Sequence, residues 1–310
     1  MVATLNAQST VIDDGVVVGL LNEHALRSKT NLFDLGEMEV TYEAPTKTLW
    51  TYMAPHQEPN FSLNMLDDIL TMQAEIRRLS VSGAMSPRYF VFGSRFPGVF
   101  NLGGDLGLFC NLIQSQNREA LHEYAIKCIR VFYQNYTSMD VPLICIALVQ
   151  GDARGGGFEG ALSFNVIVAE RGTKFSMPES MFGLFPGMGA HAQLVRLLGR
   201  AAAERMILSG KTFLAEELYD MGIVHVLAER GEGQQAVRDY IKHASHRFEG
   251  HFSTYRATQQ IDPITFDELQ RIVEIWVDTA LKLTAHNIKL MRRLAYAQSN
   301  LVTSHLSVQA

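Results

Sequence analysis

The stretch that most limits the architecture is residues 142–163, PLICIALVQGDARGGGFEGALS. Its first eight residues are apolar and include β-branched side chains, the pattern of a strand buried on both faces. Gly155, Gly156 and Gly157 follow, and a carboxylate, Glu159, comes two positions later. Bare backbone beside an acid, just past a buried strand, puts the candidate chemistry at the end of a sheet.

Gly155, Gly157 and Gly160 satisfy G-x-G-x-x-G. A dinucleotide site, however, needs its first glycine directly after the strand and a full crossover helix behind it. Here residues 151–154 intervene, and the next strand pattern, NVIVAE at 165–170, begins five residues after Gly160. No Lys-Ser/Thr pair follows the glycines, which excludes a P-loop. A plain strand-to-helix turn also explains the stretch: glycines relieve crowding, and an acid stabilises a helix N-terminus.

Two other stretches bear on the choice. FNLGGDL at 100–106 is a second glycine loop after a strand pattern, and MPES at 177–180 places Glu179 twenty residues after Glu159. Two backbone N–H groups converging on one oxygen form an oxyanion hole, and glycines let a substrate approach them closely. Two carboxylates crowded into a dry pocket do not both ionise easily, so one can act as acid while the other acts as base.

Along the chain, MEVTYEAPTKTLWTYM (38–53) reads as two strands split by a turn. FSLNMLDDILTMQAEIRRLS (61–80) carries a helical stripe. YFVFG (89–93) is a buried strand, and SRFPGVFNLGGD behind it reads as a loop. Residues 119–136 read as a helix, MPESMFGLFPGMGAH (177–191) as an ordered loop, and IVHVLAE (223–229) as a strand. Residues 266–298 hold a last long helical pattern. Strands alternating with helices predict an α/β fold. We divide it into a loosely attached arm (1–37), an α/β core (38–210) and a mainly helical C-terminal region (211–310).

Composition removes several classes. The 310 residues are 47% hydrophobic and 19% charged, which fits a folded chain. The net charge of −5 and the isolated Arg pairs at 77–78 and 292–293 give nucleic acid little to hold. Cys110, Cys128 and Cys145 are odd in number, widely spaced and without CxxC, which predicts a reducing, cytoplasmic location. VVVGLL (16–21) is too short to be a signal peptide or a membrane span. His243, His246 and His251 match no metal-site spacing and read as a solvated helix face. His191 and Cys145 read as packing residues. Asp105 reads as a loop brace, and the absence of G-x-S-x-G disfavours a serine esterase. No metal or other cofactor is expected.

FNLGGDL, ALVQGDARGGGFEGALS and MPESMFGLFPGMGAH, in this order and spacing, resemble the crotonase (enoyl-CoA hydratase/isomerase) superfamily. With EIWVDTA at 274–280, they are similar in particular to the diffusible signal factor synthases. The resemblance implies a crotonase-type ββα spiral with a C-terminal helical region that walls the acyl pocket and makes oligomer contacts. It implies Glu159 and Glu179 as the acid/base pair, and the N–H groups of Gly104 and Gly156 as the oxyanion hole. Gly155, Gly187 and Trp276 are further substrate-binding candidates. The implied substrate is a 3-hydroxyacyl thioester on acyl carrier protein. It would be dehydrated to the cis-2-enoyl thioester and hydrolysed to a free unsaturated acid, a quorum-sensing signal. The resemblance also implies a homotrimer or dimer of trimers, and a sensor histidine kinase as partner. Two alternatives stand beside this: an enoyl-CoA hydratase of fatty-acid oxidation acting on CoA thioesters, and a regulatory protein that binds the sensor.

Overall fold

The computed structural model describes residues 31–309. The arm expected over 1–37 therefore lies mostly outside the described residues. Its described end is not loose: Leu32 is buried in the core, its N–H donates to the Val40 carbonyl at 2.6 Å, and Asn31 accepts from the Val40 N–H. An apolar side chain and paired backbone hold that end down.

The chain opens with β1 (Met38–Glu43), β2 (Thr48–Met53) and α1 (Leu63–Val81). Ser62 caps α1 by accepting the Met65 N–H; of the predicted stripe Leu66, Ile69, Ile76 and Leu79 are buried, Leu70 is partly buried and Leu63, at the first turn, is exposed. One repeating unit follows: a longer strand, a three-residue strand, then helix. It runs β3 (Tyr89–Ser94), β4 (Val99–Asn101), α2 (Leu106–Gln114) and α3 (Arg118–Tyr136). It repeats as β5 (Ile144–Val149), β6 (Asp152–Arg154) and α4 (Gly156–Leu162). The third pass, β7 (Val166–Glu170) and β8 (Lys174–Ser176), ends in a 3₁₀ turn at Pro178–Phe182. Helices α5 (Ala190–Leu198) and α6 (Arg200–Ser209), strand β9 (Thr212–Leu214), helix α7 (Ala215–Asp220) and strand β10 (Val226–Ala228) come next. The chain ends with α8 (Gly233–Ser245), α9 (Phe248–Ile261), α10 (Phe266–Ala280) and α11 (Ala285–Gln309).

The longer strands and the three-residue β10 form a six-stranded sheet in the order β1-β2-β3-β5-β7-β10, parallel except for the β1–β2 hairpin. Residues alternate between its two faces. Cys145, Ala147 and Val149 face one cluster with α1 and α3, while Ile144, Ile146 and Leu148 face another with α8 and α9. Helices on both faces explain why the run at 142–149 is apolar throughout rather than alternating. The short strands form a second sheet, β4-β6-β8-β9. β9 and β10 lie past position 210 yet complete the two sheets, so the helical C-terminal region begins in earnest only at α8.

Three details differ from expectation. SRFPGVFNLGGD is not all loop, because Val99–Asn101 pairs with β6 as a strand; three residues are too few to show a period. The pattern at 266–298 is two helices broken at 281–284, although neither Gly nor Pro stands there. Ile275, an apolar residue of the expected helical pattern, is 59% exposed; Leu269, Val273, Trp276, Val277 and Ala280 form the buried face of α10.

Candidate active site

The site begins where β6 pairs with β8 in parallel, with Arg154 opposite Ser176. That register delivers Gly155 and the turn carrying Glu179 to the same edge. A Cβ on Gly155 would lie 2.6 Å from Glu179 Oε1, so the carboxylate occupies the space a side chain would fill. Gly155 has φ +51 and its carbonyl accepts the Glu159 N–H at 3.0 Å, which starts α4. All seven residues of α4 are buried.

The second glycine loop lies against the first. A Cβ on Gly103, which has φ +92, would meet the Gly156 nitrogen at 2.8 Å. One on Gly156 would lie 3.4 Å from the Gly104 nitrogen. Only bare backbone allows the two loops to come this close. The N–H of Gly156 opens α4 and so has no intrahelical acceptor. No acceptor among the described residues takes the N–H of Gly104, although the neighbouring Asp105 N–H donates to the Tyr124 hydroxyl at 3.3 Å. Asp105 itself caps α2 by accepting the Leu108 N–H at 2.8 Å.

Glu159 is 2% exposed. Its Oε2 accepts the N–H groups of Met188 at 2.7 Å and Ala190 at 3.0 Å, from the loop that leads into α5. Burial drives the Glu159 carboxyl up from the ordinary carboxylate range, and these backbone donors offset part of that rise. Glu179 as a residue is half-buried, but its carboxyl is enclosed, and Oε2 has no hydrogen-bond partner among the described residues. Burial drives it up, and the charge of Glu159 drives it further. The two acids thus sit in unequal settings. Two N–H groups from the 188–190 loop favour the charged form of Glu159, whereas Glu179 has only its own backbone N–H to offset burial and the Glu159 charge, and holds a proton more readily.

Glu159, Glu179, Gly104, Gly156, Gly155, Gly187 and Trp276 all line one cavity of about 670 Å³. A Cβ on Gly187 would lie 2.5 Å from the Trp276 ring, so the indole packs directly on the loop that holds Glu159. Trp276 meets Phe109 edge-on at 5.3 Å, and Phe109 meets Tyr124 at 4.9 Å. Phe109, Tyr124, Cys128 and Gln298 also line the cavity and were not singled out from the sequence. Tyr124 and Cys128 lie one turn apart on the buried face of α3, where periodicity marks them only as core.

The remaining candidates lie elsewhere. His243, His246 and His251 border a separate surface cleft, with His243 Nδ1 2.7 Å from the Asp239 carbonyl one turn back. Cys145 is fully buried in β5. Among the described residues no group of three or more His, Cys, Asp or Glu is placed to hold a metal, and no helix is long and apolar enough to cross a membrane.

Residues 63–299 match the family model described as enoyl-CoA hydratase/isomerase, and the chain belongs to that family, within the crotonase superfamily. A probable mitochondrial enoyl-CoA hydratase 2 from Arabidopsis thaliana is 29% identical over 150 residues, 48% of this chain and 48% of that protein. The chain thus spans about half the length of such curated relatives. In three dimensions it resembles an enoyl-CoA hydratase from Bacillus halodurans with TM-score 0.70 at 21% identity, covering 83% of this chain and 98% of that one. The human mitochondrial delta3-delta2-enoyl-CoA isomerase gives TM-score 0.71 at 17% identity, covering 86% and 99%. At these identities the likeness concerns the fold.

Proposed function

We propose that this cavity binds an acyl thioester and moves water across its C2–C3 bond. The observation that carries the reading is the meeting of three things on one cavity: the Gly104 and Gly156 N–H groups, the Glu159 carboxylate and the Glu179 carboxyl. The two N–H groups hold the thioester oxygen and stabilise the enolate-like state that forms when the C2 proton leaves. One proton shared by two carboxyls leaves one base and one acid facing the substrate. In dehydration the base takes the C2 proton while the acid protonates the departing C3 hydroxyl; hydration runs the same transfers in reverse.

Within this reading we take the substrate to be a 3-hydroxyacyl group on acyl carrier protein, converted to the cis-2-enoyl thioester and then hydrolysed to the free acid. The motif resemblance to diffusible signal factor synthases supports this finer assignment. One hole serves both steps, because both place negative charge on the same thioester oxygen. The chain offers no nucleophile elbow that would hydrolyse the thioester by a serine route.

The test offers purified protein matched carrier-protein and CoA thioesters and reads the products by mass spectrometry. Free cis-2-enoic acid from the carrier-protein substrate supports the finer reading. Hydration of 2-enoyl-CoA without release of acid assigns the chain to ordinary enoyl-CoA hydratase activity instead. Inertness toward every acyl thioester removes the enzymatic reading and leaves the sensor-binding role as the alternative.

A further inference from the structure

Two buried side-chain oxygens that lack a hydrogen-bond partner among the described residues belong to residues on the walls of this cavity: Glu179 Oε2 and Gln298 Oε1. The first belongs to the acid/base pair. The second belongs to α11, where nothing in the reaction described so far uses it.

Gln298 Nε2 donates to the Leu102 carbonyl at 3.1 Å. A carbonyl can only accept, so the amide nitrogen must face Leu102 and the amide oxygen must be the free end. Leu102 and its neighbours are fixed in turn. The Leu102 N–H donates to the Pro59 carbonyl at 2.8 Å, the Phe61 N–H donates to the Gly103 carbonyl at 2.8 Å, and Ser299 bonds to Glu58. The Gln298 turn of α11 is therefore stapled to the segment that presents Gly104. A buried amide oxygen left unpaired keeps its desolvation cost without return. A ligand that supplies a donor there removes that cost.

Gln298 Oε1 only accepts, so it selects an N–H or O–H. The class of donor follows from the proposed thioester chemistry, on which this inference rests. A carbonyl held at Gly104 must send its acyl carbons toward Glu159 and Glu179, so its sulfur leaves on the other side. Leu102 is two residues from Gly104, at most about 7 Å of chain. In a pantetheine thioester the first N–H beyond sulfur lies four bonds from the carbonyl carbon, roughly 5 Å when extended. We propose that Gln298 is a substrate-binding residue that accepts a hydrogen bond from the amide N–H nearest the sulfur of a pantetheine thioester. That amide is common to CoA and carrier-protein substrates, so Gln298 reads the arm rather than the carrier.

The experiment measures binding, not turnover. The probe is an acyl-pantetheine ketone with methylene in place of sulfur, which keeps the carbonyl and cannot be hydrolysed. Its partner is the same molecule with an ester oxygen in place of that single N–H. By calorimetry the wild-type chain should prefer the amide by roughly three- to tenfold, the span of one net hydrogen bond. Gln298→Met should bring the ratio near one, and Gln298→Ala should do the same. Each ratio is taken within one protein, so partial loss of folded material cancels. Equal binding of both probes by wild type, no binding of either, or a Met variant that keeps the preference overturns the proposal. A wild-type preference with no turnover of any thioester upholds Gln298 and overturns the reaction proposed above.

Discussion

The two sheets of this molecule obey different rules. In the six-stranded sheet, side chains do the building: Ile144, Ile146 and Leu148 fill one face and Cys145, Ala147 and Val149 the other, all 0% exposed. In the four-stranded sheet and its loops, missing side chains do it. A Cβ on Gly157 would meet the Asn101 carbonyl oxygen at 2.1 Å, and one on Gly151 would meet the Gly98 carbonyl carbon at 2.2 Å. The first sheet supplies stability through apolar area. The second trades side-chain contacts for close backbone approach, and the N–H groups and enclosed carboxyls of the candidate site lie along it. The difference implies that changes in the small sheet and its loops cost activity, while equally buried changes on the far face of the large sheet cost stability.

The strongest test of that division is the proposed acid/base pair. Glu159→Gln and Glu179→Gln keep shape and remove proton transfer. Each should lower turnover of a 3-hydroxyacyl thioester by about 10²–10⁴ while circular dichroism and the melting transition persist. Near-wild-type turnover by either variant would take that residue out of the chemistry.

The next effect concerns the backbone donor at Gly104. A Cβ there would lie 2.7 Å from the Phe109 ring, so a simple substitution mixes crowding with loss of the donor. A Phe109→Ala background makes room. In it, Gly104→Ala keeps the N–H and should retain most of the background rate, whereas Gly104→Pro removes the N–H. Loss of one oxyanion donor should cost about 10²–10³ in kcat. Equal rates for the Ala and Pro variants would place the hole elsewhere.

This contrast also explains what could be read in advance. The large sheet was legible because five of its six strands are five or six residues long and β3, β5 and β7 are largely apolar, and α1 and α3 because their stripes are long. Glu159 and Glu179 stood out as acids beside glycine or proline after strands. The strands at 99–101, 152–154, 174–176 and 212–214 are three residues each, too short for a period to register. Gln298 was invisible for another reason. Its free oxygen depends on contact between residues 196 positions apart, and no local pattern encodes such a contact.

The third test turns on pH. The Glu159 carboxyl is pushed up from 4.5 to about 7 and that of Glu179 to about 8. A carboxyl raised on folding binds its proton more tightly in the folded state. Its stabilising contribution is therefore full below pH 4.5 and is lost as pH rises through the folded values, levelling off above about 8. Glu179→Gln removes that titration from the site. Its Tm relative to wild type should rise between pH 4.5 and pH 9, by a few degrees. A difference in Tm that does not change with pH would mean that Glu179 is not held protonated by the fold.

The smallest expected effect is the control on the far face of the large sheet. Ile146 lies in the central strand β5, paired with Val91 and Val166, and faces the cluster closed by α8 and α9. The same strand runs on through Gly151 to β6 and the glycine loop, so a route from it to the site exists along the chain. Ile146→Val deletes one buried methylene and should cost about 0.5–1.5 kcal/mol of stability. Native interiors are close-packed, and strain from such a change is absorbed mainly by its immediate neighbours. Between Ile146 and Glu159 stand the turn at Gly151 and the second sheet, held by its own hydrogen bonds. Turnover should therefore stay within about twofold of wild type while urea unfolding shifts to a lower midpoint with unchanged slope. A tenfold fall in kcat at an unchanged midpoint would reverse the division, because the far face of the large sheet would then set the geometry of the site rather than only its stability.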